Sequence, residues 1–145
     1  MNESGSRLYG PQLLELALRL ASWPVDDSLP LQGEARAPVC GSHVLVGIQT
    51  GVDGTIGRLG LRAQACVVGQ AACAIFAENA SGRTAEELGH ALSAIEGWLS
   101  GAGPLPDWPG LAPLVPAQAY PGRHGAMMLP WRAALAALQS KSQAL

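Results

Sequence analysis

The sequence predicts an α+β fold: a three-stranded antiparallel meander covered by about four helices, with one helix first and one last. Two observations carry this prediction. From residue 34 to residue 65 apolar side chains recur with a period of two, interrupted twice by glycine-containing turns. On both sides of that stretch the apolar period becomes that of a helix. With 145 residues, 48% apolar and 14% charged, the chain has enough apolar surface for one core. Residues 1–145 are therefore expected to form a single domain, with 1–10 and 140–145 as flexible ends.

In chain order, PQLLELALRLAS (11–22) reads as a helix. Leu13, Leu16 and Leu20, with Leu14, Leu18 and Ala21, form a broad apolar face, and Glu15 pairs with Arg19 at i,i+4. Pro24 stops it, and Trp23 to Gly33 is turn-rich and irregular. Ala35, Ala37 and Val39 then alternate with Glu34, Arg36 and Pro38, and Val44, Val46 and Ile48 continue the alternation beyond a tight turn at Cys40-Gly41-Ser42. A second turn at Gly51–Gly54 leads to a third strand in which Leu59, Leu61, Ala63 and Ala65 share a face. Cys66 to Asn79 is apolar, rich in small residues and too long for a strand. Ser81-Gly82 breaks it, and Thr84 with Glu87 forms a capping box for the next helix, whose stripe is Leu88, Ala91, Leu92, Ile95 and Leu99. Residues 101–122 carry six prolines and four glycines and form a long irregular crossing. A last helix follows with Trp131, Ala134, Leu135 and Leu138 on one face, Pro130 lying in its first turn, where no backbone N–H is needed.

Charge excludes several functions. The formal net charge is −2, Lys141 is the only lysine, and the arginines form no basic run. A nucleic-acid groove or an anionic membrane surface is not expected as partner. No segment approaches the roughly 20 apolar residues of a membrane-spanning helix. The N-terminal MNESGSRLYGPQ is too polar for a secretory signal, so a cytoplasmic location is expected. Three cysteines, an odd number, are then read as free or metal-bound thiols and not as a disulfide framework.

Cys40 and Cys66 are the chemical centre of the sequence. A meander puts its first turn and the far end of its third strand at one edge, so the two thiols can approach each other. At a helix N-terminus, Cys66 gains from the partial positive charge there, which favours thiolate, the form that binds soft metals. His124 is a third donor candidate, and zinc accepts sulfur and nitrogen together in a tetrahedral site. The spacing Cys-x25-Cys-x57-His matches no compact metal motif, and the competing reading of both cysteines is burial as small apolar residues. Cys73 lies seven residues beyond Cys66, roughly 10 Å along a helix, and is read as core. His43 is expected on the less apolar face of its strand, His90 exposed, Met127 and Met128 in the core or lining the site, and Trp108 and Tyr120 packed over the helices.

Three segments resemble the IscU/NifU-type iron–sulfur cluster scaffold family. They are Pro38-Val39-Cys40-Gly41-Ser42, Ala65-Cys66-Val67-Val68-Gly69-Gln70-Ala71-Ala72, and Arg123-His124-Gly125-Ala126-Met127-Met128-Leu129-Pro130-Trp131. The order of elements is similar to that family's from about residue 11 to 140. Gly125 stands where the family carries a third cysteine, and Ser42 where it carries an aspartate. The resemblance implies a non-enzymatic scaffold or carrier in which Cys40 and Cys66 bind an iron–sulfur cluster, [2Fe-2S] above all, or Zn²⁺, with His124 as a further metal ligand. Four thiolates around such a cluster would suit a homodimer. The implied partners are a cysteine desulfurase-type sulfur donor and apo iron–sulfur acceptor proteins. Two alternatives stand beside it. One is a zinc-binding or metal-free adaptor or regulator on the same fold. The other is a thiol enzyme with Cys40 activated by His43 or His124 and Cys66 resolving, although no acidic residue lies near either histidine in sequence.

Overall fold

The computed structural model describes residues 10–140. The expected flexible ends lie outside the described residues except for Gly10, which caps the first helix, and Ser140, which caps the last. Helix α1, Pro11–Arg19, runs on into a 3-10 turn, Leu20–Ser22. Strands β1 (Leu31–Ala37), β2 (Ser42–Thr50) and β3 (Ile56–Gln64) form an antiparallel sheet in the order β1-β2-β3. Helices α2 (Val67–Glu78) and α3 (Ala85–Leu99) follow, then a 3-10 segment, Ala112–Ala119, and helix α4, Pro121–Gln139. The meander with four α-helices is the architecture that the apolar periods predict.

The apolar sheet face has its rows set by register: Leu31, Ile48 and Leu59; Gly33, Val46 and Leu61; Ala35, Val44 and Ala63. Val44, Val46 and Ile48 have no exposed surface. Strand β1 begins three residues earlier than the alternation predicts, because the buried positions Leu31 and Gly33 extend the pattern through a residue without a side chain. Val39 lies beyond the strand, in the turn, and is 87% exposed. On α1 only Leu13 and Leu16 are buried, while Leu14 and Leu18 face outward. The expected broad face is a single stripe because α1 packs chiefly on α2.

Glycines set how closely the layers approach. A Cβ on Gly33 would lie 2.3 Å from the Ala137 nitrogen and 2.4 Å from the Ala133 carbonyl, so the α4 backbone rests directly on β1. On the opposite sheet face, paired Gly47 and Gly60 make room for Pro24, Val25 and Leu29, and Leu61 N–H donates to the Trp23 carbonyl at 2.8 Å.

Helix α3 opens with the predicted capping box: Glu87 N–H donates to Thr84 Oγ1 at 3.1 Å and Thr84 N–H to Glu87 Oε1 at 3.0 Å. Trp108 stacks on Phe76 with centroids 5.6 Å apart, and Trp131 meets both rings edge-to-face, joining the crossing, α2 and α4. Trp108 and Tyr120 thus pack as expected, and Met127 is buried. The last helix departs from expectation. It starts at Pro121, with Pro130 in its interior. Pro130 has no N–H to give the Ala126 carbonyl, a defect that burial of Ala126, Met127, Leu129 and Trp131 offsets.

The glycine contacts predict opposite signs for two similar substitutions. Gly33→Ala drives a methyl into the α4 backbone and should destabilise by about 3 kcal/mol. Gly89→Ala, on α3 with nothing near the new methyl, should stabilise by about 0.5–1 kcal/mol. Urea unfolding decides both, and a wild-type midpoint for Gly33→Ala would refute the close approach.

Candidate thiol site

Cys40 sits in the turn between β1 and β2, whose last pair is Ala37 with Ser42. The turn closes through Gly41, which has φ +73° and donates its N–H to the Ala37 carbonyl at 2.8 Å. Strand β3 pairs Gln64 with His43, so the same register carried on by two residues sets Cys66 level with Gly41. Both thiols therefore stand at one edge of the sheet, as the meander topology requires.

Cys40 is exposed, and its Sγ–H donates to Ser42 Oγ at 3.1 Å. Ser42 is buried, at 4% exposure. Partial desolvation raises the Cys40 thiol pKa, but the Ser42 hydroxyl, which reverses to donate once the thiol is ionised, and the Ser42 N–H, with the Arg123 guanidinium, outweigh it and hold the pKa below the ordinary thiol value. Cys66 is half-buried and is the N-cap residue of α2 in an extended conformation. Its carbonyl accepts the Gln70 N–H at 2.9 Å, and the Gln70 side-chain amide donates to the Ala65 carbonyl at 2.8 Å. Gln70 thus ties the end of β3 to the first turn of α2.

The third segment closes against the other two. A Cβ on Gly125 would stand 3.1 Å from the Ala37 Cβ, beside the Cys40 turn. A Cβ on Gly69, in the first turn of α2, would stand 3.3 Å from the Ala126 Cβ. The first turn of α2, the second turn of α4 and the end of β1 therefore converge. Position 125, where the resemblance led us to look for a third cysteine, does not face an open slot, because Ala37 lies against it.

His124 lies within the first turn of α4 and not ahead of it. Its Nε2–H donates to the Gln118 carbonyl at 2.8 Å. Among the described residues, no group of three or more His, Cys, Asp or Glu side chains stands ready to hold a metal ion. Cys73 is buried in α2, where desolvation pushes its thiol far above the ordinary value. His90 is exposed, as expected.

His43 lies on the sheet face opposite Ser42, and its Nε2 bonds Glu34 Oε1 at 2.5 Å. The acidic partner missing from the local sequence is thus supplied across the hairpin, a contact that only the register reveals. It turns His43 away from Cys40, whose thiol donates to Ser42, so the geometry lends activation of Cys40 by His43 no support. Ser42, Gln70 and Gln118 were not singled out as hydrogen-bonding residues by sequence reasoning. The turn register signals the first, and the others depend on tertiary packing.

No protein-family model matches this chain, and no curated protein does. Solved structures do. The crystal structure of a nitrogen-fixing NifU-like protein (N-terminal) from Brucella abortus superposes with a TM-score of 0.84 at 24% identity, covering 97% of this chain and 99% of that one. A candidate iron–sulfur cluster assembly scaffold protein for the SUF system from the thermophile Fervidobacterium islandicum gives 0.77 at 18% identity, over 92% and 98% of the two chains. A hypothetical protein gives 0.70 at 17% identity, over 88% and 97%. The chain has the fold of these proteins, and that is the fold the three segments led us to expect.

The three thiols should react in a set order. With iodoacetamide at neutral pH, Cys40 should alkylate first, and Cys73 only on unfolding. Because the Ser42 hydroxyl holds the Cys40 pKa down, Ser42→Ala should raise it and slow Cys40 alkylation a few-fold. Peptide mapping over a pH series reads both effects, and an unchanged Cys40 profile in Ser42→Ala would remove the role given to that hydroxyl.

Proposed function

We propose that this chain is a non-enzymatic iron–sulfur cluster assembly scaffold or carrier, with Cys40 and Cys66 as the thiolates that hold the cargo. The observation that supports it most is the convergence of the Cys40 turn and the Cys66 helix start with the second turn of α4, on a fold shared with a NifU-like protein and a SUF-system scaffold. The donor set suits the cargo, since iron–sulfur clusters are held by thiolates. A [2Fe-2S] cluster takes four of them, so two chains contributing Cys40 and Cys66 would complete it as a homodimer. A cysteine desulfurase-type donor would supply sulfur, and apo acceptor proteins would receive the finished cluster. His124 serves this reading as an additional ligand. The whole chain acts as one domain, in the cytoplasm; among the described residues no helix is long and apolar enough to cross a membrane.

A second reading has its own support. Ser42 is a neutral hydroxyl and Gly125 has no side chain, so the site lacks two anionic donors. A zinc-binding or metal-free adaptor would follow if those losses abolish cluster binding.

Anaerobic purification with measurement of iron, zinc and acid-labile sulfide separates these readings. The scaffold reading expects iron and sulfide in equal amounts, lost in Cys40→Ser and in Cys66→Ser and retained in Cys73→Ser. Zinc without sulfide favours the adaptor, and no metal after reconstitution with iron, sulfide and zinc rules out a metal site. Gly125→Cys should retain the cluster longer than wild type, and more so with Ala37→Gly, which removes the methyl that a new Cβ would meet.

A further inference from the structure

The register that sets Cys66 level with Gly41 puts the Cα atoms of Cys40 and Cys66 about 6 Å apart, one strand across and one residue along. A disulfide spans Cα atoms roughly 4.4–6.8 Å apart, so this frame suits a bond between the two. The Cys40 sulfur also leans the right way. Its Sγ–H reaches Ser42 Oγ at 3.1 Å, and by the same register Ser42 is level with Ala65, the neighbour of Cys66. The two cysteines differ in how they are held. Cys66 is half-buried and fixed, its carbonyl taken by the Gln70 N–H and the Ala65 carbonyl by the Gln70 side chain. Cys40 is exposed, between exposed Val39 and a Gly41 that has nothing within 4 Å of where a Cβ would stand. It therefore has room to move toward a fixed partner. Cys73 is buried in α2, roughly 10 Å along the helix from Cys66 and too far for a bond to it. With glycine at 125, the edge holds two thiols and no third.

We propose that a peroxide joins Cys40 and Cys66 in a reversible intrachain disulfide, a modification that withdraws both thiolates and shuts the site to cargo. The bond rests on the placement of the two thiols, and the shutting rests on the two-thiol reading under the proposed function. With hydrogen peroxide as oxidant, the Cys40 thiolate attacks one oxygen, the O–O bond breaks, and a sulfenic acid and hydroxide form. The Cys66 thiolate then attacks that sulfur, the S–O bond breaks, and a second hydroxide leaves as the S–S bond forms. The hydroxides take up the two thiol protons, so two thiols lose two electrons and one peroxide becomes two waters. Exposure makes Cys40 the attacking cysteine, and the half-buried Cys66 beside it is the resolving one.

The test uses the full chain, reduced, stripped of metal with a chelator, folded at neutral pH and treated with hydrogen peroxide. Iodoacetamide in urea then blocks the remaining thiols, and peptide mapping reads the pairing. The peptides of Cys40 and Cys66 should be joined within one chain, with Cys73 free, and dithiothreitol should separate them. In Cys66→Ser the Cys40 sulfenic acid should persist long enough for dimedone to trap it. In Cys40→Ser the oxidation of Cys66 should slow by about tenfold. Peroxide added in urea should give mixed pairings that include Cys73, which shows that the fold selects the bond. The inference falls if folded wild type gives Cys40 sulfinic acid with Cys66 still free, bridges between two chains, or a pairing with Cys73. Reconstitution with iron and sulfide reads the shutting separately: reduced protein should take up both, and bridged protein neither. Uptake by bridged protein overturns the shutting. No uptake by reduced protein overturns the two-thiol reading and leaves the bond standing.

Discussion

The arrangement depends on one contact, the α4 backbone laid on β1 at Gly33. A helix normally stands off a sheet by the length of its side chains. Here the missing side chain of Gly33 lets the Ala133 carbonyl and the Ala137 nitrogen come within van der Waals reach of the strand. Two points of approach then fix the direction of the helix. From Ala133 back to Gly125 is about 12 Å of helix, and from Gly33 to Ala37 is about 13 Å of strand. These lengths match, so α4 runs antiparallel to β1 and its second turn arrives at Ala37, beside the Cys40 turn. The site is the far end of a helix whose position is set four strand residues away.

Helix α2 is held to α4 by a different device. Phe76, Trp108 and Trp131 interlock at the buried centre, with Arg83 4.4 Å from the Trp108 ring centroid on the crossing side. The Trp131 indole N–H has no acceptor there, an unfavourable feature that the surrounding aromatic burial offsets. Near the N-terminal ends, Gly69 against Ala126 keeps the two helices close, so Cys66 at the start of α2 is carried to the same place as Gly125. Cooperation between a glycine contact on the sheet and an aromatic lock between helices is what makes three distant segments converge.

Most of this fold was legible from the sequence, and the exceptions share a cause. Alternation in β2 and the capping box at Thr84 and Glu87 are local signals, and the structure follows them. Pro130 misplaced the start of α4 because a local rule puts proline in a first turn, whereas burial against β1 and α2 carries the helix through it from Pro121. Leu31 and Gly33 were missed as strand because a glycine is silent in an apolar pattern, although it is the residue that the packing needs most. For the site, the edge shared by Cys40 and Cys66 follows from topology alone. The hydrogen bonds at Ser42, Glu34 and Gln118 do not, since each depends on register or on where the crossing settles.

That division bears on how chemistry and fold separate in this chain. The residues that build the frame, Gly33, Phe76, Trp108 and Trp131, are distinct from the two thiols at the end of the sheet, Cys40 and Cys66. A change at Ser42 would alter the charge and donor number beside Cys40 without touching the contact of α4 with Gly33. The Gly125 position even tightens the seam, because Ala37 packs where a side chain would begin. The chain can therefore share its fold with a NifU-like protein, at a TM-score of 0.84, with only 24% of residues identical. Shape is enforced by buried glycine and aromatic contacts, and Cys40 and Ser42, at the end of the layers, stand outside them.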